Sequence, residues 1–116
     1  MATKIRRKTP KRIKIGYSTF KLLPRSKYWG IRHKACGMCE PEQAKICFVS
    51  SLKDSEIVNT IIHEMLHGVV YMFDIDFANP KEEERVVRKM ANGLHTVFQD
   101  NPKFLEWVLQ NTKKDE

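Results

Sequence analysis

Eight apolar residues recur at helical spacing between positions 57 and 70: Ile57, Val58, Ile61, Ile62, Met65, Leu66, Val69 and Val70. They predict a helix with a broad apolar face from about residue 55 to residue 73, with Asp54 or Ser55 as its cap. Within that apolar run stands His63-Glu64-Met65-Leu66-His67, an H-E-x-x-H pattern. Burying two imidazoles and a carboxylate among apolar side chains is costly unless something satisfies them, and a metal ion would.

The spacing says how. Positions i and i+4 place His63 and His67 one turn apart on one face, where both reach a single ion. Glu64 projects about 100° round from His63, on ~3.6 residues per turn. From there it can take a proton from a zinc-bound water whose pKa has been lowered toward ~7. A third protein ligand is needed. Val70 and Phe73 stand where the extended H-E-x-x-H-x-x-G-x-x-H pattern would have Gly and His, which argues against that class. The alternative is a carboxylate from the next helix. Asn79-Pro80 starts that helix, which runs to about residue 99, and Glu82, Glu83 and Glu84 suit its positive end. Phase alone leaves Glu83 and Glu84 open; Ala91, on the Glu84 stripe, would let the helices approach closely and favours Glu84. His95, nearly three turns later, and His33 are weaker competitors. Tyr71 and His95 are the candidates for steadying an oxyanion, and the sequence places neither.

The rest of the chain reads as an α+β domain. Ile13, Ile15, Tyr17, Thr19 and Lys21 alternate as one strand ended by Pro24. Tyr28-Trp29-Gly30-Ile31 reads as a second short strand, residues 37–43 as a loop, and residues 45–50 as a third strand. That third strand is the expected edge along which an extended peptide would align. Asp100-Asn101-Pro102 breaks the second long helix. Phe104, Leu105, Trp107, Val108 and Leu109 fit a short third helix, with Phe104 and Trp107 available to a dimer. The expected organisation is a flexible basic arm over residues 1–11, one domain over 12–110 with a small three-stranded sheet on the metal helix, and a frayed tail over 111–116.

Charge is divided unevenly. The 116 residues carry a net +7, but residues 1–39 hold twelve Lys/Arg and no Asp or Glu. Arg6, Arg7, Lys8, Lys11 and Arg12 are the candidate contacts for nucleic acid or an acidic partner. No apolar run approaches the ~20 residues of a membrane span, and the charged N-terminus lacks a secretory h-region, so no membrane partner is expected and a cytoplasmic location is. Cys36, Cys39 and Cys47 are odd in number, which speaks against a disulfide framework. Cys36 and Cys39 form a C-x-x-C that His33 and Cys47 could complete as a second zinc site.

The order of these segments, with Gly37-Met38-Cys39-Glu40, Ile46, the H-E-x-x-H helix, Glu83-Glu84, Met90-Ala91-Asn92-Gly93-Leu94 and Asp100-Asn101-Pro102, resembles the small phage and prophage proteins of the ImmA/IrrE-type and SprT-like zinc metallopeptidase groups. The resemblance covers roughly residues 12–109, and H-E-x-x-H is its one specific motif. It implies a minimal gluzincin-like core, one zinc per chain on His63, His67 and Glu84 (or Glu83), Glu64 as base, and a peptide or protein substrate in the cytoplasm of a bacterial host. The chain departs from full ImmA/IrrE proteins in having no appended DNA-binding domain and M-A-N-G-L where they have E-A-N-x-F-A. The competing expectation is a catalytically inactive, zinc-stabilised binding module whose basic arm makes the contacts.

Overall fold

A computed structural model describes residues 9–113. Arg6, Arg7 and Lys8 of the expected arm, and residues 114–116 of the expected tail, lie outside the described residues. Among the described residues the architecture is α+β: a four-stranded mixed sheet and four α-helices.

Strand β1 (Arg12–Ile15) and strand β2 (Ser18–Arg25) form an antiparallel hairpin, pairing Ile15 with Ser18 across a two-residue turn. Gly16 takes φ 64° at the first turn position, the glycine-first pattern of tight hairpins whose twist matches their strands. The expected single strand over residues 13–21 is thus two strands. The turn changes the parity of the inward positions, from Ile15 to Phe20 and Leu22, and leaves Tyr17 88% exposed. β2 runs past Pro24, which lies beyond the reach of β1, where a missing N–H is tolerated.

The expected strand at Tyr28–Ile31 is a helix, α1 (Lys27–His33). Ser26 caps it by accepting from the Trp29 N–H, and Lys34 ends it in the left-handed conformation. Trp29 stacks on His33 one turn later, ring centroids 4.4 Å apart. Aromatic strand preference therefore yields to capping and one-turn contacts.

The expected loop over residues 37–43 holds β3 (Gly37–Glu40) and a 3₁₀ turn (Pro41–Gln43). β4 (Lys45–Val49) follows, close to its expected bounds. The strand order is β1-β2-β4-β3, with β2 and β4 parallel and β4 and β3 antiparallel. The sheet therefore has four strands rather than three. β4 is interior, so the strand expected at the edge is not there; the edge beside the helices is β3.

Helix α2 (Asp54–Met72) lies across the sheet; its N-cap is Lys53, whose N–H donates to Glu56, and not the expected Asp54 or Ser55, which lie inside the first turn. Ile57, Ile61, Met65 and Val69 pack on the core formed by Ile15, Phe20, Leu22, Ile46 and Phe48. Helix α3 (Pro80–Asp100) is capped by Asn79, whose side chain accepts from the Glu82 N–H, and packs on α2 with Val87 and Ala91 buried. Ala91 is fully buried, the close approach its size suggests. Helix α4 (Pro102–Asn111) packs on α3; Phe104 and Trp107 stack on each other and stay about half exposed. No helix among the described residues is long and apolar enough to cross a membrane.

Candidate metal centre

Three elements converge on one cavity of about 1030 Å³. α2 contributes His63, Glu64 and His67, α3 contributes Glu83, Glu84 and Arg88, and β3 forms one wall with Gly37 to Cys39. α2 comes close to β3 because position 37 has no side chain. A Cβ there would stand 2.6 Å from Thr60 Cγ2, 2.9 Å from the Cys47 carbonyl oxygen and 3.2 Å from Glu64 Cγ.

The three expected ligand residues are together. Glu84 spans the two imidazoles: one carboxylate oxygen is 2.7 Å from His63 Nε2 and the other 2.8 Å from His67 Nε2. Among the described residues, His63, His67 and Glu84 are the one group of three or more metal-ligating side chains whose ligand atoms gather, all within 4.8 Å of one another. The neighbouring Glu83 reaches the other nitrogen of the same ring, with Oε2 2.7 Å from His67 Nδ1. The two candidates that helix phase could not separate thus occupy different positions. Glu84 sits among the candidate ligand atoms, and Glu83 sits behind one candidate ligand, where a carboxylate would fix the tautomer and orientation of the ring.

Two imidazoles and one carboxylate form a donor set that suits zinc and leaves a position open. A tetrahedral ion with bonds of ~2.1 Å holds its ligand atoms about 3.4 Å apart. The carboxylate would have to withdraw from each imidazole by less than an ångström, a shift within the reach of a half-exposed Glu84 side chain.

The electrostatics differ from residue to residue. Burial lowers the His63 pKa, with help from the charges of His67 and Arg88 and against the pull of Glu84, which favours the neutral imidazole that binds metal. His67 is also penalised by burial, but its hydrogen bonds to Glu83 and Glu84 and the charge of Glu64 outweigh this and raise its pKa. Glu64 is pushed up to about 7, chiefly by burial and further by the charge of Glu84, with His67 opposing. A carboxylate poised near neutrality is suited to proton transfer.

The other candidates lie elsewhere. His95 Nδ1 is 3.2 Å from Asn59 Nδ2, in a polar link between α2 and α3 that includes Asn92. His33 is engaged with the Trp29 carbonyl on α1. The cysteines do not gather. β3–β4 register puts Cys39 beside Ile46 on the inner face, whereas Cys47 sits beside Met38 on the outer face. Cys36 is exposed at the cavity rim. Cys39 faces the cavity, and its thiol is pushed up to about 12 by burial and then by Glu64, Glu83 and Glu40. Tyr71 lines the cavity and is half exposed. The sequence reading passed over Arg88, which stands one turn beyond Glu84; the four-residue spacing was the available signal.

No family model, no curated protein and no solved structure matches the chain.

Proposed function

We propose that the chain is a zinc-dependent metallopeptidase, with His63, His67 and Glu84 as the metal ligands and Glu64 as the catalytic base. The observation that carries this reading is the convergence of two imidazole Nε2 atoms and one carboxylate on an open cavity, with a raised-pKa carboxylate beside them. When bound, zinc would acidify a water and polarise the scissile carbonyl. Glu64 takes the proton from the attacking water and passes it to the departing amine. Glu83 accepts from His67 Nδ1–H and so leaves Nε2 free to bind metal. The outer edge of β3, the last strand of the sheet, can receive an extended peptide by strand addition along the cavity wall. The likeness to the ImmA/IrrE-type and SprT-like groups extends the proposal to a phage-encoded enzyme working in a bacterial cytoplasm.

An inactive zinc-stabilised module would use the same three residues but would need a fourth protein ligand closing the site. None gathers there among the described residues, which favours the peptidase. The test is Glu64→Gln, assayed with zinc on a quenched-fluorescent library of unstructured peptides. The variant should keep its zinc and lose at least about 100-fold in rate, the usual scale for a general base. A variant that cleaves as fast as the parent, or a zinc-loaded parent that cleaves nothing in the library, contradicts the proposal.

A further inference from the structure

Four described cations of the N-terminal third, Arg12, Lys14, Lys21 and Arg25, share one face of the sheet with Lys45. Arg12 lies directly opposite Lys21, and Lys21 directly opposite Lys45, so three cations form a row across three adjacent strands. Alternation along the strands adds Lys14 and Arg25 to the same face. The opposite face of these strands carries Ile15, Phe20, Leu22 and Ile46, packed against α2. Helix α1, which has no acidic residue, covers the Val49 end of the cationic face. The first carboxylate of the chain, Glu40, closes the row at its β3 end. None of Arg12, Lys14, Lys21 and Lys45 makes an ion pair among the described residues, whereas Arg25 Nε donates to Cys47 Sγ at 3.4 Å beside the part that α1 covers.

Like charges set directly opposite on neighbouring strands destabilise a sheet, so the Arg12–Lys21 and Lys21–Lys45 pairs work against folding; Glu40 opposite Lys45 offsets this at one end of the row, and an anionic partner would compensate the rest. With strands ~4.8 Å apart, the three cations span about 10 Å. Duplex DNA presents one charge per ~1.7 Å of axis, so several phosphates fall within that reach. A protein partner is the poorer match, because protein interfaces are depleted of lysine and need an apolar centre. We propose that this sheet face binds the phosphate backbone of nucleic acid, without reading sequence and on the side away from the metal cavity. It does not depend on the peptidase reading.

The test is fluorescence anisotropy of the full chain on a labelled mixed-sequence duplex over a salt series. Four phosphate contacts, from Arg12, Lys14, Lys21 and Lys45, give a slope of log K on log salt of about −3.6. The triple variant Lys14→Gln, Lys21→Gln, Lys45→Gln should reduce that slope by about 2.7, with circular dichroism and zinc uptake unchanged. An unchanged slope in the correctly folded variant overturns the proposal. So does tighter binding of the parent to polyglutamate than to the duplex, which would assign the face to acidic proteins.

Discussion

Replacing Glu83 and Glu84 one at a time separates the proposed ligand from its proposed support. Glu84 touches both Nε2 atoms, at 2.7 and 2.8 Å, whereas Glu83 touches only the Nδ1 of His67. Removing a carboxylate that orients a ligand costs about 10- to 100-fold in metal affinity, or about 1.4–2.7 kcal/mol. Glu83→Ala should fall in that range. Glu84→Ala leaves two protein ligands of three, so its loss should exceed about 100-fold. The assay is zinc competition against a chromophoric chelator at fixed pH and ionic strength, with denaturant unfolding of each metal-free variant as the control for folding. The reasoning is refuted if Glu83→Ala weakens zinc as much as Glu84→Ala, or more.

Other perturbations follow from the same geometry. His95→Ala should leave zinc affinity within about twofold of the parent, because His95 serves the Asn59 link; a loss on the Glu84→Ala scale would make it a ligand. Gly37→Ala puts a Cβ against the Cys47 carbonyl and Thr60 and should cost about 1–3 kcal/mol in denaturant unfolding; an unchanged midpoint would refute the close approach. The metal-free chain should lose stability as pH rises. A carboxyl raised from 4.5 to about 7 in the fold contributes fully below its unfolded value, and that contribution disappears as pH passes the folded one. For Glu64 this amounts to about 3 kcal/mol. His67 is raised too and acts in the same direction, while lowered His63 acts oppositely, losing stability as pH falls. Glu64→Gln should flatten the decline in unfolding experiments between about pH 4.5 and about pH 7; an unaltered slope would assign it to other groups. Finally, a thiol reagent near neutrality should label exposed Cys36 before Cys39, whose thiol resists ionisation; equal rates in a mass-spectrometric time course would contradict that burial.

The helices carrying the site were legible because their apolar periodicity runs for several turns, although the cap of α2 falls on Lys53 and not on Asp54 or Ser55. Asn79, Pro80 and the Asp100-Asn101-Pro102 break set the limits of α3 through short-range chemistry. The sheet was less legible because its signals are non-local. The hairpin hid in a run whose alternation continues through Gly16 while its inward parity changes. β3 begins at Gly37 and is followed by Pro41, so it reads as loop; pairing with β4 makes it a strand. Trp29 and Ile31 favour a strand by residue type, but Ser26 and Lys34 bound a helix there. His63, Glu64 and His67 were readable from spacing alone. Choosing between Glu84 and Glu83 required the seating of α3 on α2 around Val87 and Ala91, which helix phase does not contain.

The most direct test of the central claim is zinc content per chain, measured by mass spectrometry on protein purified without added metal, beside a His63→Ala variant. A single zinc per chain, lost in the folded variant, is the predicted result. No zinc in the parent, even after the ion is offered, would contradict the metal centre and the peptidase chemistry built on it.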